Sequence, residues 1–300
     1  MAKKYEKYVK RLNFRENMGG TPARYKVYME AADLNGIEVN FVIGVYEIMG
    51  LWAPKRGYKD KVDREFDPKP CAHAHNFPEI LMFFGYGEDG LSNLGAVLNL
   101  ALGKEWEEQI VSEPSLVVLP PELPHCPLYT EELKRPFAHM HIALSTDHGL
   151  KGATTLVDRE GSSSGGKYSR LVKKLRQGEK PAGAVEGTTF TGKDLEGIPL
   201  TVTMGLYDRE GSWYTGRGAQ VSPYDKLLLF FGNNAENPND LGAELRVRLG
   251  SEGEAYLFQE ASVIIVPEGL PHMPVDCLKL NRPYYAVQIE FSPRPDNQWL

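Results

Sequence analysis

The chain alternates short apolar runs with turns rich in Gly, Pro, Asn and Asp, and the runs have the length of strands rather than helices. Val39–Val45, Leu81–Phe84, Val97–Leu102, Ser115–Leu119 and Phe137–Leu144 are of this kind. Their spacing predicts mostly antiparallel β structure, closed into a jelly roll or small barrel. Two segments depart from the pattern. Tyr5–Leu12 and Tyr168–Leu175 carry apolar residues at helical spacing with basic residues between them, which predicts two short helices outside the sheets with solvated basic faces.

The pattern occurs twice. A shift of 147 aligns residues 73–145 with 220–292 without a gap, and about a third of the pairs are identical, well above chance. Phe83-Phe84-Gly85 falls on Phe230-Phe231-Gly232, Pro124-His125-Cys126-Pro127 on Pro271-His272-Met273-Pro274, and Arg135-Pro136 on Arg282-Pro283. Upstream the register is 161, placing Gly44, Tyr46, Gly50 and Trp52 on Gly205, Tyr207, Gly211 and Trp213. The first copy therefore holds 14 extra residues between Trp52 and His73, within a charged, Pro-rich stretch at 54–70 that reads as either a flap over the following residues or a solvated connection. Gly161-Ser162-Ser163-Ser164-Gly165-Gly166 has the composition of a linker. The organisation expected is an N-terminal barrel at 1–150, a linker with a short helix at 151–186 and a C-terminal barrel at 187–300. Tyr46, Trp52, Arg135 and their counterparts recur, as packing residues common to both barrels would.

A length of 300 residues suits two such units, and the charge is mixed, with a formal net of -6 and no sustained basic run. Nothing here is an electrostatic footprint for nucleic acid, so the expected ligand is a small molecule. No apolar run approaches a membrane span, and the start lacks the apolar stretch of a secretory signal. Cys71, Cys126 and Cys277 are odd in number and widely spaced, which argues against a disulfide framework and for a reducing cytoplasm. Cys126, next to His125, reads as a small buried side chain. Pairing of two chains as a homodimer is left open.

The stretch His73-Ala74-His75-Asn76-Phe77-Pro78-Glu79 is where chemistry concentrates. In an extended strand His73, His75 and Glu79 share one parity and hence one face. Two imidazoles and a carboxylate suit a divalent transition ion such as manganese, iron, nickel or zinc. The plainer reading is two surface histidines before a buried strand. His125 follows another strand and a Pro-rich turn, and in a barrel of this size it can return beside the first stretch, closing a set of three histidines and one glutamate.

H-x-H-x3-E followed by P-x-x-x-P-H resembles the two motifs of the cupin superfamily, and the duplication makes the chain similar to a bicupin. The resemblance spans about Ile37 to Ser145 and Ile198 to Ser292. It implies two tandem jelly-roll barrels with a few peripheral helices, and one divalent metal ion (iron, manganese or zinc, with nickel also accommodated) held by His73, His75, Glu79 and His125. Two departures touch the turns. Glu122 stands where the second motif usually has Gly, whereas Gly269 satisfies it in the second copy, and the glycine that commonly opens the first motif is missing before His73.

Opposite His73, His75 and Glu79 the second copy has Gln220, Ser222 and Lys226, and only His272 survives. An ammonium and a single imidazole do not hold a transition ion, so the metal site is expected in the N-terminal barrel alone. His139 and His141 align with Ala286 and Gln288. Both are candidates for general acid/base work, His141 foremost, with orientation of a ligand as the alternative role. The leading expectation is a dioxygenase of a phenolic or enediol compound. The alternatives are a non-oxidative isomerase, decarboxylase or C–C hydrolase that polarises a carbonyl, and a non-catalytic binding or storage protein.

Overall fold

The computed structural model describes residues 3–16, 23–53, 72–146, 154–163, 165–175, 180–214, 218–295 and 298–299. The insertion at 54–70, Cys71 and His148 lie outside them. The described residues form two compact units, Phe14–Leu175 and a second made of Met1–Asn13 together with Arg176–Leu300. Each unit is built from two antiparallel sheets. This is the two-barrel, all-β architecture implied by the motifs.

In the first unit one sheet runs Val172–Lys174, Ser115–Leu119, Glu79–Gly85, Phe137–Ala143, Asn40–Tyr46, Tyr25–Met29, Arg15–Glu16. The other runs Thr154–Val157, Ala72–His75, His125–Leu133, Ala96–Leu102, Glu107–Val111, with Gly50–Ala53 also pairing with His125–Leu133. Leu81, Phe83, Val117 and Leu119 of the first sheet meet Leu98, Leu100, Leu102, Val111 and Leu128 of the second in one buried cluster. Glu107–Val111 alternates buried and exposed residues strictly, as an edge strand with one face on a core must. Glu79–Gly85 is buried throughout, because it lies mid-sheet between two partners.

The internal repeat is carried into the strands without slippage. Glu79–Gly85, Ser115–Leu119, His125–Leu133 and Phe137–Ala143 recur 147 residues on as Lys226–Gly232, Ser262–Val266, His272–Leu280 and Tyr284–Glu290. The recurring aromatics pack in both: Tyr46 stacks on Phe137 at 5.6 Å between ring centroids, and Tyr207 on Trp213 at 4.3 Å and Tyr284 at 5.3 Å. Arg135 pairs with Asp89 in a turn and Arg282 with Asp240 at the start of a strand.

The two expected helices are corrected. Each segment is a single 3-10 turn, Glu6–Tyr8 or Ser169–Leu171, followed by a three-residue strand, Val9–Arg11 or Val172–Lys174; no α-helix occurs among the described residues. Edge pairing wins over a helical spacing that is too short to be stable alone. The boundaries at 1–150 and 151–186 shift for the same reason. Val9–Arg11 pairs with Ser262–Val266 and so belongs to the second unit, whereas Val172–Lys174 pairs with Ser115–Leu119 in the first. Thr154–Val157, also expected in the linker, pairs with Ala72–His75.

One carboxylate per unit holds its incoming segment. Glu107 is buried and accepts hydrogen bonds from the Tyr168 and Lys167 N–H groups and Ser163 Oγ, each at 3.1 Å, and from Gln109 Nε2 at 2.9 Å. Burial raises its carboxyl, but these bonds outweigh burial and hold it below its ordinary value. The counterpart Glu254 accepts from the Lys4 N–H at 3.0 Å and Tyr256 Oη at 2.6 Å. Gly103 and Gly250, both at positive φ, leave room for Tyr168 and Tyr5: a Cβ would stand 2.4 Å from one phenolic oxygen and 2.3 Å from the other ring.

In the second unit the position of Glu79 is taken by one member of a buried ion pair. Lys226 Nζ lies 3.2 Å from Glu290 Oε2, with side chains 2% and 7% exposed. Glu290 stands where the first unit has Ala143, and Ser222 Oγ donates to its other oxygen at 3.4 Å. Burial lowers the Lys226 ammonium, opposed by Glu290. Burial, then Lys226, lower His272 to about 4, and its Nδ1 lies 3.0 Å from the Leu270 carbonyl.

Two outcomes follow. Glu107→Ala leaves the Lys167 and Tyr168 N–H groups without their acceptor, at a cost of about 1–3 kcal/mol; hydrogen exchange in Val172–Lys174 is expected to accelerate, and unchanged protection there contradicts the clamp. Glu290→Ala strands a buried ammonium and is expected to cost about 3–5 kcal/mol, while Lys226→Met combined with Glu290→Leu costs much less. Denaturant unfolding of the three variants measures the difference; equal losses contradict the pairing.

Candidate metal centre

His73 and His75 sit on Ala72–His75, and His125 opens the neighbouring strand, with His125 directly opposite His73. Glu79 is not on their strand. The chain bends through Asn76-Phe77-Pro78 and enters the other sheet at Glu79; Pro78 lacks an N–H and constrains the residue before it, so the strand cannot run straight on. The expectation of one continuous strand with one face is thereby corrected. The carboxylate reaches the imidazoles from the opposing sheet of the same barrel.

The four side chains nevertheless converge. One ligand nitrogen each from His73, His75 and His125 fall within 4.8 Å of one another, a grouping able to hold a metal ion. Glu79 Oε2 lies 3.3 Å from His125 Nε2 and 3.6 Å from His75 Nε2. His75, Glu79 and His125 are 2%, 3% and 1% exposed, and His73 is half-buried. Phe77 stacks on the His75 ring at 4.8 Å, nearly parallel.

The donor set fits a cation. His125 Nδ1 lies 3.0 Å from the Leu123 carbonyl; a carbonyl only accepts, so Nδ1 carries a proton, and Nε2 is the atom turned to the Glu79 carboxylate. Two such atoms 3.3 Å apart in a buried site need a proton or a metal ion between them, and the set of three imidazoles and a carboxylate suits the metal ion. His75 Nδ1 is 2.8 Å from Thr154 Oγ1, leaving its Nε2 toward Glu79.

The turn before His125 keeps the conformation that glycine usually supplies. Glu122 has φ 64°, beside 74° at Gly269. Its N–H donates to the His75 carbonyl at 2.7 Å, as Gly269 N–H does to Ser222 at 2.9 Å, so the His125 turn is tied to the His75 strand in both copies. The Glu122 side chain is exposed.

His139 and His141 share the inward face of Phe137–Ala143, opposite Phe83 and Leu81, but their surroundings differ. His139 stacks on Phe83 at 4.7 Å, meets Tyr46 edge-on, and donates from Nδ1 to the Met82 carbonyl at 3.0 Å. Burial pushes it down to about 4. Packed between Phe83 and Tyr46, its ring has the surroundings of a core residue rather than those expected of an acid/base group. His141 Nδ1 lies 3.6 Å from Glu79 Oε1, with the side chain 14% exposed. It is the titratable group placed beside the cluster.

Two residues escaped the sequence. Thr154 sits in a segment that composition marks as linker, and no local motif signals its bond to His75. Glu290 had a signal: the change from Ala143 to Glu across the repeat, coupled to the change from Glu79 to Lys226, is what a compensating charge pair looks like.

No protein-family model and no curated protein matches the chain. Solved structures of oxalate decarboxylase from Bacillus subtilis do match. The structure at pH 4.6 superposes with a TM-score of 0.61 at 12% identity, covering 98% of this chain and 78% of that one. An arginine-to-alanine mutant gives 0.61, 12%, 98% and 79%. A structure from a study of the Mn(II) centres of that enzyme gives 0.60, 12%, 98% and 79%. At this identity the likeness establishes the shared two-barrel cupin fold.

Proposed function

We propose that this protein is a metal-dependent enzyme of the cupin type, with its metal site in the first barrel alone, acting on a small carboxylic acid by non-oxidative C–C cleavage. The observation that carries the reading is the convergence of His73, His75 and His125 within 4.8 Å, faced by the Glu79 carboxylate. His73, His75, Glu79 and His125 would hold one divalent ion. When bound, it supplies a Lewis acid that anchors an oxygen of the substrate and draws charge from the reacting carbon.

The residues do the rest. Two imidazoles fixed through Nδ1, to Leu123 and Thr154, present their Nε2 lone pairs without reorganisation. Phe77 and the apolar core exclude water. Breaking the C–C bond releases carbon dioxide and leaves an electron pair on the remaining carbon, which takes a proton. His141, beside Glu79, is positioned to supply it. In the second barrel the Lys226 ammonium stands where Glu79 would be, balanced by Glu290 from the neighbouring strand, and that barrel is a structural companion.

Two considerations tip the balance from dioxygenase to decarboxylase. His141 offers a proton beside the cluster, and the solved structures that share the fold belong to an oxalate decarboxylase with Mn(II) centres. Oxalate is accordingly the first substrate to test, with manganese the first metal.

Protein purified without added metal is expected to hold about one equivalent of a divalent ion per chain. His75→Ala and His125→Ala are each expected to lose it while the fold is retained, read by metal analysis and circular dichroism. His141→Gln is expected to keep the metal and lose about 10²–10⁴-fold in kcat when carbon dioxide release is followed. Full metal content in the His75 and His125 variants contradicts the site; oxygen consumption matching turnover contradicts the non-oxidative reaction.

A further inference from the structure

We infer that Thr154 is a positioning residue for the first-barrel site: its hydroxyl selects the His75 tautomer that leaves Nε2 available as a ligand. The inference rests on the proposed metal reading for its consequence, and on the Thr154–His75 geometry for its substance.

Thr154 opens the strand Thr154–Val157, which forms the edge of the sheet carrying the histidines and pairs antiparallel with Ala72–His75. The register sets Thr154 directly opposite His75 and Leu156 opposite His73. Directly opposite residues share a face of the sheet, so the short threonine side chain reaches the ring, and its Oγ1 lies 2.8 Å from Nδ1. Phe77 stacks on the same ring at 4.8 Å and 8° between planes. Phe77 sets the ring plane, and the Thr154 hydroxyl, which can accept from Nδ1–H or donate to a bare Nδ1, is the partner on which the choice of tautomer turns. A proton on Nδ1 donated to the hydroxyl leaves the lone pair on Nε2, 3.6 Å from Glu79 Oε2. A proton on Nε2 would instead be donated to Glu79 and would have to leave before an ion could bind.

His125 reaches the same state through a backbone carbonyl, an acceptor that no substitution removes. His75 depends on a side chain. In the second barrel, Gln298–Trp299 takes the corresponding strand position, with Trp299 opposite Gln220 as Leu156 is opposite His73. There Ser222 replaces His75, and its hydroxyl donates to Glu290, so no imidazole is left to orient. The hydroxyl and the imidazole it serves thus belong to the barrel with the convergent histidines.

The test compares wild type, the isosteric Thr154→Val and the conservative Thr154→Ser. The His75 tautomer is read by nitrogen NMR on metal-free protein at neutral pH, and Mn(II) affinity by titration with electron paramagnetic resonance of the free ion. Wild type is expected to show His75 protonated on Nδ1. Thr154→Val is expected to lose that preference and to bind Mn(II) about 10–100-fold more weakly, and Thr154→Ser to restore both. A wild-type His75 protonated on Nε2 overturns the inference, as does undiminished Mn(II) affinity in Thr154→Val. A wild type that binds no Mn(II) refutes the metal reading instead, and the tautomer measurement then decides the role of Thr154 by itself.

Discussion

A carboxylate oxygen and an imidazole lone pair 3.3 Å apart, both buried, are the constraint on which the first barrel turns. Water does not reach this contact to screen it, and the backbone bond on His125 Nδ1 fixes the proton on the far side of the ring. A proton or a metal ion has to lie between them. Glu79 arrives from one sheet and the histidines from the other, so the demand for positive charge also spans the two sheets. The neighbouring backbone is fixed as well, as it is at Gly269 in the second barrel: Glu122 adopts a left-handed φ of 64° and bonds the His75 strand, although a side chain in that region costs about 1–2 kcal/mol.

The second barrel meets the same constraint with different chemistry. Its strands Lys226–Gly232, Ser262–Val266, His272–Leu280 and Tyr284–Glu290 follow the repeat residue for residue, its His272 keeps the bond to the preceding turn, and the position of Glu79 is taken by an ammonium. Lys226 supplies the positive charge covalently, and Glu290 appears on the adjacent strand to balance it at 3.2 Å. A buried pair of this kind adds little net stability, but either member alone is costly. The two barrels are therefore one fold with two arrangements of buried charge, and in the proposed reading the first alone takes an exchangeable ion.

Much of this was legible in the sequence. The duplication, the strands from Ser115–Leu119 to Phe137–Ala143 and the convergence of His73, His75, Glu79 and His125 follow from periodicity, repeat and motif. What was not legible depends on pairing at a distance. Tyr5–Leu12 and Tyr168–Leu175 have helical spacing, yet each ends in a strand on the edge of a sheet whose other members lie far along the chain, and local propensity does not see that partner. Parity placed Glu79 on the strand of His73 because it assumed no bend at Pro78. His139 and His141 have equal standing as residues on one face; only the neighbours Phe83, Tyr46 and Glu79 separate a core imidazole from one beside the cluster. Thr154 carries no motif, and its role is a matter of register.

The central claim is that one cation sits in the first barrel and none in the second. Diffraction from crystals of the manganese-loaded protein, recorded at the metal absorption edge, tests it most directly. The account predicts one anomalous peak per chain, within ligand distance of the His73, His75 and His125 nitrogens and a Glu79 oxygen, about 2.0–2.2 Å for donors of this kind. A peak beside Lys226 and His272, or a first barrel that stays empty under saturating manganese, would contradict it.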